Sequence, residues 1–283
     1  MAVLSVDLAY RCWSDLGIVI LSRTRPVGTC AQETVPDQFP VASHTLDRGL
    51  ERQQIHCEVI PSAAAGLSGG PIDADILAGR LNHLAATRGI RMMMLDGPQA
   101  WKSRTNGLEH ARVSEQQLNT AAKTGLPGMV KPITYRVFAE FCLDVYDALC
   151  RRGWRRLDTC DRASTSQGRA LQDRVLVESY PYAAWKSLGL VPLPSKRRAK
   201  VSDLAQAYGA LRALIPLTTN RPPSHDQLQA IVGGLPGLAL EERNSAAVRI
   251  VGNPPHREQG HWREGFIVLP LPPLQTVSLR WLN

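Results

Sequence analysis

AVLSVDLAYRCWSDLGIVILSR, residues 2–23, opens with an apolar run, Val3-Leu4-Ser5-Val6, that stops at Asp7, and it turns apolar again from Gly17 onward. Continuous apolar runs of this length read as strands buried on both faces. The turn around Ser14-Asp15 makes a β-hairpin the expected local structure. The same device recurs further along: Met92-Met93-Met94-Leu95 precedes Asp96, and Val175-Leu176-Val177 precedes Glu178. A further strand is expected near Ile55–Ile60.

Helical signals fill the intervals. Over 73–88, Ile76, Leu77, Arg80, Leu81 and Leu84 fall at helical spacing, with Asp73 near the start and Gly89 just past the end. A longer helix is expected over about 133–152, entered through Pro132, with Val137, Phe138, Phe141 and Val145 on its packed side. Further helices are expected near 182–188, Val201–Leu214 and 225–232. The alternation of strands and helices argues for α/β layering. One domain spanning 1–283 is expected, with insertions at about 101–131 and 153–173. Loops are expected at 25–49, 101–131 and 159–173, with a Pro-rich tail from Asn253. PSKRRAK, residues 194–200, reads as a basic linker.

A chain of 283 residues with 44% hydrophobic content can bury a substantial core. Lys and Arg outnumber Asp and Glu by 33 to 25, a net +8, which suits a polyanionic partner such as nucleic acid. The cysteines, Cys12, Cys30, Cys57, Cys142, Cys150 and Cys160, form no CxxC pair and no zinc-ligand spacing with the histidines, and read as reduced thiols. No apolar run reaches the roughly 18 residues of a membrane helix. The expectation is a cytoplasmic protein that does not enter a membrane; its oligomeric state is not legible.

In open α/β sheets the ligand crevice lies at the carboxyl ends of the parallel strands, and Asp7, Asp96 and Glu178 sit at or near such ends. Carboxylates converging there repel one another unless a cation or a proton compensates. Oxygen-only ligands favour Mg²⁺ or Mn²⁺ over zinc, and two such ions about 4 Å apart serve phosphodiester hydrolysis. The alternative for each acid is a cap on the helix that follows it. A Gly-rich phosphate loop after the first strand would have pointed to a phosphotransferase, but Leu8-Ala9-Tyr10-Arg11-Cys12 holds no glycine.

VDLAYRCWSDLGIVIL, MLDGPQAWK, VLVESYPYAAWKSLGL, SHDQLQAIVGGL and REGFIVLPL resemble, in that order, the motifs of family 429 of the domains of unknown function, described as predicted ribonuclease H-like nucleases. The likeness spans most of the chain, and ESYPYAAWKSLG with HDQLQAIV and EGFIVLP is its most specific part. The resemblance implies a ribonuclease H-like fold with a five-stranded mixed sheet flanked by helices. It also implies metal-binding and catalytic acids at Asp7, Asp96, Glu178 and Asp226. In similar sequences the late helix carries Asp immediately before Ala. Here Gln229 precedes Ala230, and Asp226 lies three residues earlier on nearly the same face, either as a substitute ligand or as a cap.

The expected function is metal-dependent nucleic-acid hydrolysis with Mg²⁺ or Mn²⁺. The alternative is a non-catalytic nucleic-acid-binding or scaffolding protein that retains the fold. Candidate substrate contacts are Lys102, Arg104, Lys186 and His225, each of which taken alone reads first as solvated charge or, for His225, as a surface or capping residue at a helix start. Trp101, Tyr180, Tyr182 and Trp185 are candidates for base stacking or for core. Lys196-Arg197-Arg198 reads first as exposed linker and second as a nucleic-acid contact.

Overall fold

The computed structural model describes residues 1–23, 54–158 and 173–272. The loop expected at 25–49, most of that at 159–173, and Cys30 and Cys160 lie outside them. In chain order the principal elements are β1 (Ala2–Asp7), β2 (Gly17–Arg23), β3 (Ile55–Ile60), α1 (Ala74–Thr87), β4 (Met92–Asp96), α2 (Val113–Leu118), β5 (Lys123–Thr124), β6 (Val130–Lys131) and α3 (Arg136–Arg151). There follow β7 (Trp154–Arg156), β8 (Arg174–Ser179), α4 (Pro181–Ser187), α5 (Val201–Leu214), β9 (Leu217–Thr219), α6 (His225–Glu241), β10 (Val248–Val251), β11 (His256–Glu258), β12 (His261–Arg263) and β13 (Ile267–Pro270).

The chain forms a mixed α/β fold around a large sheet in the order β10-β13-β8-β4-β1-β2-β3-β9, with β7 also paired to β8. At its centre β1, β4 and β8 run parallel, while the β2 hairpin partner is antiparallel to β1. This sheet has nine strands among the described residues, where five were expected. The additional ones are short: β7 and β9 have three residues each, and β10 and β13 four. Trp154–Arg156, expected within an insertion, is thus part of the sheet, and the supposed Pro-rich tail supplies a hairpin, β11–β12, and strand β13. Among the described residues no helix is long and apolar enough to cross a membrane.

Helices cover both faces, which is why the central strands are apolar at every position rather than at alternate ones. Val3, Val19, Leu21, Met92, Met94, Val175 and Val177 pack towards α4, α5 and α6. Leu4, Val6, Ile18, Ile20, Met93, Leu95 and Leu176 pack towards α1 and α3. Each fully buried side chain of this kind contributes about 1.5–3 kcal/mol. In α3 the packed side is Ala139, Cys142, Val145, Tyr146 and Leu149, and Val137, expected inside, is 60% exposed. At about 3.6 residues per turn, Val137 lies well round the helix from Cys142, Tyr146 and Leu149, which face the core, and so it points to solvent.

The long helix α6 extends through Pro236 to Glu241, well beyond 232. It lies almost directly on the sheet. A Cβ at Gly234 would fall 2.2 Å from Leu21 Cδ1 and 2.7 Å from Ser5 Cβ, and one at Gly17 would fall 2.1 Å from the Asp226 carbonyl oxygen. The Ser5 hydroxyl, buried in mid-strand, donates to the Ala230 carbonyl at 2.7 Å and ties the two layers together. The first turn of α6 is thereby fixed over the end of β1. Gly234→Ala is expected to cost about 1–3 kcal/mol through overpacking. Gly209→Ala, in the exposed part of α5 with nothing within 4 Å of its Cβ, should stabilise by up to about 1 kcal/mol. Urea unfolding of both variants checks this, and a shift of the same sign in both would contradict the close seating of α6.

Candidate metal centre

Asp7 and Asp96 occupy matching positions at the carboxyl ends of the adjacent parallel strands β1 and β4. The strand period directs Asp7 with Val3 and Ser5, and Asp96 with Met92 and Met94, to the α6 side. Their carboxyl groups hydrogen-bond to each other. Burial pushes Asp7 well above the usual carboxylate range, the neighbouring Asp96 and Asp226 push it further, and Lys196 opposes them. Asp96 is pushed up to about 6 by burial and by Glu178, with the hydrogen bond from Asp7 pulling the other way. A hydrogen bond between two carboxyl groups needs a proton on one of them, and burial together with two neighbouring acids favours its retention on Asp7.

Asp226 stands in the first turn of α6, but it does not cap the helix. That role belongs to Ser224, which forms a reciprocal box with Gln227. Asp226 is buried and flanked by two cations. Lys196 Nζ donates to Asp226 Oδ2 and, at 2.7 Å, to Asp15 Oδ1. His225 Nδ1 lies 3.1 Å from Asp226 Oδ1, and its Nε2 lies 2.9 Å from the Pro194 carbonyl. Both ring nitrogens face oxygen acceptors, which only the imidazolium satisfies. The bond to Asp226 is the leading cause of the upward shift of His225. Gln229 is occupied elsewhere, accepting from the buried Trp185 indole at 2.7 Å.

Glu178 is not brought to this pair in the way its run of apolar residues suggested. In the β4–β8 register Leu95 faces Glu178, and Ser179 faces Asp96. Glu178 is thus directed with Leu176 to the α3 side of the sheet. There Arg112 grips it with two bonds of 2.7 Å, and the Gln99 backbone N–H donates to it at 3.0 Å. Arg112, 1% exposed, also donates from Nε to Glu115 and Thr124. Burial raises Glu178 above the usual range while Arg112 pulls it down.

Of the other candidates, His225 adjoins Asp226, and Tyr180 lines the cavity beside Asp96 and Glu178. Lys102 is buried and donates to the Ser103 carbonyl at 2.9 Å, Arg104 reaches Glu258 at 3.7 Å, and Lys186 lies 4.4 Å over the Tyr182 ring. None of the three lines the clefts around Asp7 and Asp96. Trp185 is core and Trp101 is nearly so. The structure instead opens a cleft of about 640 Å³ beside Asp7 and Asp226, lined also by Tyr10, Arg11, Lys196 and Arg197. A smaller cavity of about 210 Å³ lies beside Asp96 and Glu178. The residues that sequence reasoning missed are Arg112, Arg11 and Asp15. Lys196 and Arg197 belong to the segment whose sequence reads first as linker, and their spacing to the acids carries no signal.

Among the described residues no three His, Cys, Asp or Glu side chains form a group that could hold a metal ion. The Asp7–Asp96 pair still suits Mg²⁺ or Mn²⁺, because Mg²⁺ binds through one or two carboxylates and completes its shell with water and substrate phosphate. Its shared proton marks charge that a cation would neutralise. No family model matches the chain, and no curated protein does. Among solved structures, Thermus thermophilus RuvC overlaps 86% of this chain and 96% of its own at 12% identity, with a TM-score of 0.35. A likeness at that level carries no argument about this chain.

Two outcomes are expected. Arg112→Met leaves Glu115 and Glu178 buried without their cation and should cost about 3–5 kcal/mol in chemical unfolding; a loss below about 1 kcal/mol would contradict the ion-pair account. The second concerns pH, measured in chelator. Asp96 titrates at about 6 when folded against 3.8 for an ordinary carboxyl, so the folded state binds more protons. The stabilisation present below the unfolded value fades as pH rises through 6. Between pH 4 and 7.5 the wild type should lose on the order of 2–3 kcal/mol relative to Asp96→Asn. Parallel pH profiles would refute the proton-sharing pair.

Proposed function

We propose that the chain is a metal-dependent nuclease of ribonuclease H-like type, belonging to family 429 of the domains of unknown function, that hydrolyses phosphodiester bonds at the Asp7–Asp96 pair with Mg²⁺ or Mn²⁺. The observation that carries this reading is an imbalance among four acids. Glu178 has Arg112, and Asp226 has Lys196 and His225. Among the described residues no ion pair reaches Asp7 or Asp96, so their charge is the part left for an external cation. A divalent ion bound there would polarise a phosphoryl oxygen and favour attack by water.

The chain's own residues supply the rest. Asp7 and Asp96 would hold the ion, with the Asp7 proton leaving as it binds. Asp226 stands by at the first turn of α6, and Lys196 and the His225 imidazolium hold its carboxylate in place. Arg11 and Arg197, exposed on the cleft, carry no ion pair among the described residues; Arg11 donates from Nε to the Tyr10 hydroxyl at 2.8 Å, and its remaining N–H groups and those of Arg197 would meet phosphates. A net charge of +8 favours the approach of a polyanion. A cytoplasmic setting belongs to the same proposal.

A second reading, a nucleic-acid-binding protein without turnover, is favoured by the same two built-in ion pairs, since they leave fewer carboxylates for metal. Labelled RNA, DNA, hybrid and junction substrates, incubated with purified protein in Mg²⁺ or Mn²⁺, separate the two. The nuclease reading expects cleavage that Asp7→Asn or Asp96→Asn lowers at least about 100-fold, roughly 3 kcal/mol of transition-state stabilisation. Equal cleavage by Asp7→Asn would end it. Salt-sensitive binding without cleavage would leave the second reading in its place.

A further inference from the structure

We infer that the cleft beside Asp7 binds an unpaired nucleotide, so that the preferred partner is single-stranded rather than duplex nucleic acid. This rests on the reading of the cleft as a nucleic-acid site and adds what the cleft would select. Its walls differ in chemistry. One is basic, with Arg11 and Arg197 exposed. The other is aromatic, with Tyr135 and Phe138 facing the cleft beside Tyr10.

Phe138 packs in part against the core, but packing does not account for Tyr135. Tyr135 is 41% exposed, and its neighbours Ile133 and Val137 are 65% and 60% exposed. Exposed apolar side chains gathered along one short segment mark a surface that something covers. Tyr10 and Phe138 stand 6.1 Å apart between ring centres at an interplanar angle of 53°, and Arg11 lies 5.1 Å over the Tyr10 ring. Rings beside guanidinium groups form a platform on which a base can stack while its phosphates meet the cations. A paired base has both faces covered by its neighbours and offers nothing to such a wall. A duplex held by its backbone would need the cations alone.

The geometry of charge agrees. In the cleft Asp7 and Asp226 are the more covered members, Asp15 is paired with Lys196, and Arg11 and Arg197 are exposed, while its volume of about 640 Å³ lies within the range of small-ligand sites. A base stacked on Tyr135 would bring its flanking phosphate along the basic wall and down towards Asp7.

Fluorescence anisotropy in EDTA tests this apart from any cleavage. The probes are fluorescein-labelled single-stranded DNA and RNA of one mixed sequence, and the duplexes formed from them. The expected result is binding at least about tenfold tighter for a single strand than for its duplex. Tyr135→Ala should weaken it about tenfold with an unchanged melting temperature, and Tyr135→Phe should restore it. Arg197→Ala should lower the slope of log affinity against log salt by about 1. Equal or tighter binding of duplex, no binding of either form, or indifference to Tyr135→Ala would overturn the inference. Cleavage assayed separately in Mn²⁺ keeps the two readings apart. A protein that binds single strands but never cuts them loses the nuclease reading alone, and one that cuts duplex by preference loses this inference alone.

Discussion

Parallel pairing of β1 and β4 in a register that sets Asp7 beside Asp96 is the constraint from which the site follows. Two carboxylates at matching strand ends cannot turn away from each other, because the strand period and the layer above fix their direction. Burial removes the water that would screen them, so the repulsion is met by retaining a proton. Such an arrangement costs stability, and the surroundings offset it. Apolar strands covered on both faces and a helix seated through glycine hold the pair together against its own charge.

The neighbouring acids show what the fold does when it supplies its own cation. Arg112 meets Glu178 with both guanidinium arms and reaches Glu115 with its Nε, an arrangement whose partners are all buried. Burying such charges is tolerable only when each is hydrogen-bonded. Asp226 is held on both carboxylate oxygens, by Lys196 on one and His225 on the other. The contrast with the Asp7–Asp96 pair lies in the residues nearby and not in the acid side chains themselves.

Much of this fold could be read from the chain, and the parts that could not share a cause. β1, β2, β3, α1 and α5 fall where the apolar runs, the Asp73 cap and the helical spacing put them. β7, β9 and β10–β12 are three or four residues long, such as Trp154-Arg155-Arg156, and too short to show a period. For the site, the pairing of Asp7 with Asp96 follows from two runs that end alike. Glu178 ends a similar run, but β8 continues one residue further to Ser179, and a shift of one residue turns a side chain to the opposite face. The grip of Lys196 on Asp226 and of Arg112 on Glu178 spans 30 and 66 residues and has no local signature.

The segment over 101–131, expected as an inserted loop, is anchored from within. Glu264, buried, accepts from the backbone N–H groups of Ser103 and Val113 and from the Asn106 amide. The Trp101 N–H donates to the Trp262 carbonyl at 3.0 Å, and the Glu264 N–H to the Trp101 carbonyl at 2.8 Å. Arg112 locks the same segment to β8 through Glu178. Swinging it open would strand several buried polar groups at once, each costing about 1–3 kcal/mol. The Glu178 side of the acids is therefore held as part of the folded core, around the smaller cavity that Asp96 and Glu178 share. Access to Asp7 runs through the larger cleft, which shares Tyr135 and Phe138 with that cavity and opens between the exposed guanidinium groups of Arg11 and Arg197 and the ring of Tyr135, and this is where the chemistry of a partner would be selected.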